Sequence, residues 1–151
     1  MVNSILLARP HPFIVAEMKP FLERAGYTVS RIESLTDLSP TASNYSGAVI
    51  SLAVHSSVDA SAGEVFTKLR QVAPHVPVVF ASLLPFAKVL RSLESMAEQA
   101  QMALHAVSVD AAHEHDPLLG EPTTFLYISV DDLVMERRRS IALRMIQQHC
   151  R

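Results

Sequence analysis

The chain has 151 residues, of which 49% are hydrophobic and 19% are charged. This balance excludes an intrinsically disordered chain, and a chain of this length can bury a core without disulfides or metals. Thirteen basic against fifteen acidic residues give a formal net charge of −2, unlike the strongly basic surface of a dedicated nucleic-acid binder. The single cysteine, Cys150, excludes an intrachain disulfide and a cysteine-based zinc site.

Targeting and membrane segments are not predicted. The first apolar run, residues 5–8, is too short for a signal peptide, and no run approaches the roughly 18 residues that a membrane-spanning helix needs. We therefore expect a soluble, intracellular protein with one domain over residues 1–151.

The first strand is predicted at Ser4–Ala8, a continuous apolar run that ends before two prolines. A helix over Pro12–Ala25 follows, with apolar residues at helical spacing. Pro20 lies inside this helix and predicts a local bend. The second strand is predicted at Tyr27–Ile32. Residues 34–46 contain helix-breaking positions and support one or two helical turns at most.

The middle of the chain gives the clearest pattern. It predicts a strand at Gly47–Val54, a helix at Ala60–Val72, a strand at Val78–Ser82 and a long helix that begins near Pro85. The segment His105–Val109 fits either the last turns of that helix or a short extra strand.

The last part of the chain begins with a polar, proline-containing loop over Asp110–Thr123. A strand at Thr124–Ser129 follows, rich in β-branched and aromatic residues. A final helix is predicted over Asp131–Gln148. Alternating strands and helices imply right-handed crossovers, so the expected fold class is α/β, with three layers around a mostly parallel sheet of five or six strands.

The order of these elements and several segments resemble the receiver domain of bacterial response regulators. The resemblance is carried by residues 5–12, 21–29, 64–70 and 77–82, and it covers most of residues 4–102 and 124–148. It implies a flavodoxin-like, receiver-like fold with an atypical insertion around residues 103–123, and a cytoplasmic location.

The resemblance also implies a phosphoacceptor pocket, and here the chain departs from the family. Receivers hold Mg²⁺ with two acidic residues after the first strand, carry a phosphoacceptor aspartate at the end of the third, and have a lysine at the end of the fifth. The matching residues are Arg9 and Pro10, then Leu52, then Ser129 or a residue near Val109. Arg9 and Pro10 cannot supply the oxygen ligands of Mg²⁺, Leu52 cannot act as the nucleophile, and neither candidate for the lysine position is a lysine.

Of the family's pocket residues, the chain retains the strand-four hydroxyl at Ser82. The degenerate pocket therefore consists of Arg9, Pro10, Ser51, Leu52, Ser82 and Ser129. The resemblance implies a pseudo-receiver that is not phosphorylated on aspartate, and we expect no catalytic residue, no metal and no cofactor.

Three polar groups invite more specific hypotheses. Arg9 is either a solvated loop arginine, an anion ligand at the carboxyl edge of the sheet, or a stand-in for a bound cation. Ser51 with His55 is a candidate nucleophile and base, but no nucleophile elbow surrounds Ser51, and a satisfied buried hydroxyl is favoured. The run at residues 113–116 holds four potential metal ligands, but a solvated loop is favoured there because adjacent residues rarely close a metal site.

The final helix carries a basic segment, Arg137, Arg138 and Arg139, with Arg144 further along. It is either a solvated face, a protein interface or, least favoured, a nucleic-acid contact, because no helix-turn-helix frame surrounds it. The resemblance implies a partner face formed by the fourth helix, the fifth strand and the fifth helix.

The function expected from these features is a non-catalytic signalling module that acts by protein–protein interaction. A homodimer through the last strand and helix is one candidate assembly. The alternative function is a small-ligand or anion-binding flavodoxin-like protein that uses the loops after the first and third strands.

Overall fold

The computed structural model describes residues 3–54, 56 and 58–151, and its centre is a six-stranded sheet with every strand parallel to its neighbours. The strands are β1 (Ser4–Arg9), β2 (Thr28–Arg31), β3 (Gly47–Ser51), β4 (Val78–Ser82), β5 (His105–Ser108) and β6 (Thr124–Ser129). They lie in the order β2-β1-β3-β4-β6-β5. The α/β class is confirmed, and the extra strand at residues 105–108 is present.

Helices cover both faces of the sheet and give the predicted three layers. They are α1 (Lys19–Arg24), α2 (Ala62–Val72), α3 (Phe86–Gln99), α4 (Asp131–Val134) and α5 (Glu136–His149). One core cluster lies between the sheet and α2 and α3, where the rings of Phe66, Phe80 and Phe125 pack with centroids 4.9–5.8 Å apart. The other lies beneath α1 and α5 and includes Leu22, Met145 and Ile146.

The predicted bend near Pro20 is a change of helix type. Ile14–Met18 is a π-helical turn, in which the Lys19 N–H donates to the Ile14 carbonyl, and α1 continues from Lys19. Proline has no N–H to donate to the carbonyl four residues earlier, so the turn before it can widen at little further cost.

The segment between β2 and β3 contains only the 3₁₀ turns Leu35–Asp37 and Pro40–Asn44, as predicted.

Two predicted elements, the third strand and the helix after it, are shorter in the structure. The third strand was predicted to reach Val54 but ends at Ser51, because the carbonyls beyond it bind a side chain and not a strand. The helix α2 begins at Ala62, where Ser61 and Glu64 form a capping box.

The final helix is divided, contrary to the prediction of one helix over Asp131–Gln148. Met135 has extended backbone angles (φ −84°, ψ 120°) and separates α4 from α5. Sequence periodicity does not detect this break, because the residue types across it are all compatible with a helix.

The last strand, β6, is paired on both sides, with β4 and with β5. Neither edge of β6 is therefore free to pair with a strand of another chain. Within the described part of the chain, no helix is long and apolar enough to cross a membrane.

Candidate functional site

Arg9, at the end of β1, is the central charged residue of the carboxyl edge of the sheet. Its side chain donates to four backbone carbonyls: Nη1 to Ser51 (2.7 Å) and Ala53 (2.6 Å), Nε to Ala60 (2.8 Å) and Nη2 to Val54 (3.1 Å). The residue is only 3% exposed, so the expectation of a solvated loop arginine is wrong. Burial lowers the pKa of the guanidinium from its usual value.

A register shift at the end of β1 aims this side chain. Leu7 pairs with Val49 but Arg9 pairs with Ile50, so β1 has one extra residue there. Such a bulge turns the following side chain relative to the regular alternation of a strand. Arg9 consequently reaches the segment before α2, and it lines an open groove of about 520 Å³ together with Leu52, Val58, Asp59 and Glu64.

The other predicted pocket residues on β1 and β3 are structural supports. Pro10 is buried, and its carbonyl accepts a hydrogen bond from the Ser56 hydroxyl. Ser51 is 1% exposed and its Oγ accepts from the Ala53 N–H at 3.0 Å, which confirms the expected satisfied hydroxyl. Leu52 follows β3 directly and its N–H donates to the Ala81 carbonyl. His55, the candidate base, lies outside the described residues.

Ser82, at the end of β4, is bonded to a tyrosine that the sequence analysis did not single out. Its Oγ lies 2.6 Å from the hydroxyl of Tyr127 on β6, and the same Oγ accepts from the Leu84 N–H. The Tyr127 hydroxyl donates in turn to the Leu84 carbonyl. Burial raises the pKa of Tyr127, so the phenol stays protonated and keeps donating to the loop after β4.

Ser129, at the end of β6, lies beside Ser82 in the sheet register. Its N–H and Oγ both donate to Asp132 Oδ2, at 2.8 and 3.1 Å, and Arg138 Nε donates to Asp132 Oδ1 at 2.9 Å. Asp132 is buried. The carboxylate therefore joins β6 to the first turn of α5 across the break at residue 135.

The four arginines predicted as an interface are all exposed, but they do not form one free surface. Arg138 is paired with Asp132, and Arg144 is paired with Glu114 from the segment before β6. Arg137 and Arg139 have no ion pair among the residues that the structure describes.

His113, Glu114 and Asp116 are partly buried and His115 is exposed, so the favoured solvated loop is only partly correct. His105 Nε2 lies 2.9 Å from Asp116 Oδ2, and Glu114 pairs with Arg144. Within residues 3–54, 56 and 58–151, no group of three or more metal-ligating side chains comes together.

Three solved structures have a similar overall fold. The receiver domain of a sensor histidine kinase from Pseudomonas aeruginosa PAO1, with a magnesium ion coordinated in its active-site cleft, matches with a TM-score of 0.57 at 12% identity, covering 99% of this chain and 98% of that one. A response regulator receiver domain protein from Clostridium thermocellum matches with a TM-score of 0.55 at 13% identity, over 97% and 96% of the two chains. A CheY-like receiver domain protein from Methanospirillum hungatei JF-1 matches with 0.52 at 12%, over 97% and 99%.

The fold is that of a response regulator receiver domain. No family model matches the sequence, and no curated protein does. At these identities the likeness is one of fold, so the site must be interpreted from its own residues.

Sequence reasoning missed two residues of this edge. Tyr127 is a phenol within a buried strand, and a buried tyrosine hydroxyl usually has a hydrogen-bond partner, which was the available signal. Asp132 was placed only within the first turn of the predicted final helix, since nothing in a single sequence shows that it turns inward to Ser129.

Proposed function

We propose that this protein is a non-catalytic, receiver-like signalling module that acts by protein–protein interaction and is not phosphorylated on aspartate. The observation that carries the proposal is Arg9, whose guanidinium is held by four backbone carbonyls at the edge where α/β proteins usually bind ligands. A positive charge fixed at this edge repels a divalent cation and supplies none of its ligands.

The residues around Arg9 support the same conclusion. Pro10 directly follows β1 and Leu52 directly follows β3, and neither residue has a side-chain oxygen. The two acidic residues that line the groove are Asp59, which is exposed, and Glu64, which accepts from the Ser61 N–H in the capping box. The similar kinase receiver coordinates magnesium in its cleft. In this protein the positive charge at the carboxyl edge of the sheet is the guanidinium of Arg9.

Arg9 also favours a single conformation for the backbone of residues 51–54, at the end of β3 and just after it. Its bonds to the Ser51, Ala53 and Val54 carbonyls hold this backbone in place. A module with this backbone held in one conformation would transmit a signal through its abundance and its binding to partner proteins, and not through a phosphorylation cycle.

The decisive experiment is an amide NMR titration with Mg²⁺ and then with beryllofluoride, a phosphoryl mimic, with a phosphorylatable receiver measured in parallel as the positive control. We expect no saturable shifts for Ser51, Leu52, Ser82 or Ser129. Saturable shifts that cluster on these residues would overturn the proposal.

A small-ligand role is the second candidate, and the groove of about 520 Å³ beside Arg9 is the observation that favours it. Its largest apolar lining residues are Leu52, Val54 and Val58. The donors of Arg9 are largely occupied by carbonyls. A thermal-shift series with nucleotides, flavins and simple anions separates the two candidates. A concentration-dependent rise in the melting temperature would favour a ligand-binding protein.

A further inference from the structure

The strand β2 lies at one end of the sheet, and its outer edge has no strand neighbour in the described part of the chain. The N–H groups of Thr28 and Ile32 donate inward, to backbone carbonyls in β1 and just before it. Because backbone groups alternate in direction along a strand, the N–H and C=O groups of Val29 and Arg31 point outward. An edge of this kind can pair with an extended segment of another chain.

A groove of about 380 Å³ lies beside this edge, on the face of the sheet that carries α1. Its walls are mainly apolar and are formed by Leu7, Val15, Pro20 and Val29. Val29 is partly buried, and its register partner on β1 is Ile5, which belongs to the core beneath α1 and α5. An extended segment paired with β2 would place every second side chain on the face that carries this groove.

The π-helical turn at Ile14–Met18 forms the opposite wall of the groove. Val15 lies in this turn, and Lys19 and Pro20 begin α1 directly after it. Single π turns are rare in proteins and are frequent at functional sites. The turn is therefore a second feature, independent of the free strand edge, that points to a binding role for this side of the molecule.

The charged side chains that line the groove are both basic, namely Lys19 and Arg31. Each has a carboxylate neighbour: Lys19 Nζ lies 3.3 Å from Glu23, and Arg31 Nε lies 3.8 Å from Glu33. All four side chains are at least 40% exposed, so these ion pairs are weak and can exchange for carboxylates of a bound partner. The groove therefore favours a partner that carries carboxylates beside apolar side chains.

We propose that the outer edge of β2 and its groove form a docking site for an extended, acidic segment of a partner protein, which adds to the sheet as a seventh strand. Apolar side chains of this segment would fill the groove, and its carboxylates would pair with Lys19 and Arg31. This inference rests on the proposed protein–protein function and names the surface and the kind of partner. The site shares no residue with the basic segment of α5.

The first test is an amide NMR titration of the whole chain with the capped heptapeptide Glu-Thr-Val-Thr-Val-Thr-Glu, whose valines and glutamates share one face when it is extended. We expect saturable shifts at Val29, Ser30 and Arg31 on β2, and at Val15 and Lys19 across the groove. The same peptide with lysine for glutamate should bind at least about tenfold more weakly at low salt, because its charges are repelled. A backbone N-methylated version lacks the donors and should not bind.

Two variants of the protein separate the contribution of charge from that of the backbone. Lys19→Glu with Arg31→Glu should weaken binding of the acidic peptide by at least about tenfold at low salt and should strengthen binding of the lysine peptide. Val29→Pro removes an outward N–H but no inward donor of β2, and it should abolish binding. Arg24→Glu is the matched control, because Arg24 is exposed, ends α1 and does not line the groove. Circular dichroism checks that each variant is folded.

The inference is overturned if the acidic peptide causes no saturable shifts at β2, or if the double variant binds it like the wild type. Shifts at β2 that depend on the concentration of the protein alone would identify a second copy of this chain as the occupant and would also overturn it. The beryllofluoride titration reports on Ser51, Leu52, Ser82 and Ser129 and is unaffected by these outcomes. Failure of the docking site and failure of the proposed function are therefore distinguishable.

Discussion

The Nη1 atom of Arg9 donates to the backbone carbonyl of Ser51 at 2.7 Å, which joins the carboxyl ends of the neighbouring strands β1 and β3. Three further carbonyls accept from the same side chain. The arginine thus gathers the carbonyl oxygens of Ser51, Ala53, Val54 and Ala60 around one positive charge.

Replacing Arg9 by methionine should destabilise the fold by about 3 kcal/mol, because buried carbonyls lose their donors. Arg9→Lys should recover only part of this loss, because an ammonium cannot reproduce the planar fork of a guanidinium. Urea unfolding measures both. Arg31→Met, at an exposed arginine that ends β2, is the control and should change stability by less than about 0.5 kcal/mol. Equal effects at the two positions would contradict the role of Arg9.

Asp132→Ala should cost about 2 kcal/mol, because it removes the acceptor of the Ser129 N–H in a buried position. Arg138→Ala should cost less, about 0.5 kcal/mol, since that side chain is nearly half exposed. The neighbouring variant Asp131→Ala is the control, because Asp131 is exposed and makes no ion pair among the described residues. Chemical denaturation of the three variants should give this order, and a neutral Asp132→Ala would rule out the bridging role.

His149 should make the fold sensitive to acid. Its Nε2 donates to the Val78 carbonyl at 3.0 Å and its Nδ1 accepts from the Gly120 N–H at 2.8 Å, so the ring must be neutral. Burial lowers the pKa of His149 from 6.5 to about 4. The unfolded chain binds a proton in this range and the folded chain does not. The stabilisation is therefore complete above about pH 6.5 and falls by about 3 kcal/mol as the pH drops to 4.

This pH dependence is measured by urea unfolding between pH 7 and 4. His149→Gln should flatten the slope, while His75→Gln, at an exposed histidine, should leave it unchanged. If His149→Gln keeps the wild-type slope, other groups cause the acid sensitivity.

Gly47→Ala should destabilise the fold by about 2 kcal/mol, because a Cβ there would lie 2.4 Å from the Sγ of Cys150. Adding Cys150→Ala should recover part of the loss, since it removes the sulfur but leaves the Cβ at 3.1 Å. Gly63→Ala, inside α2, is the matched control: its nearest atom is at 3.5 Å, so this variant should be neutral or more stable. Thermal unfolding distinguishes them, and additive effects at 47 and 150 would show that the two residues do not interact.

Much of the sheet was predictable from the sequence by itself. Runs such as Val78–Ser82 and Thr124–Ser129 are buried on both faces, so nearly every residue in them is apolar or small and the strand limits are visible. The alternation with helices then determined the α/β class. The receiver resemblance also drew attention to positions 9, 10 and 52, where the sequence has no carboxylate.

The tertiary structure decided what depends on long-range contacts. Arg9 is buried because carbonyls some 40 to 50 residues away in sequence accept its N–H groups. The segment at 105–108 is a strand because β6 offers it an edge, and the last helix breaks at Met135 while Asp132 turns toward Ser129. Local periodicity reports which face of a segment is apolar. It does not report which distant backbone atoms will satisfy a buried charge, and that pairing determines the chemistry of this edge.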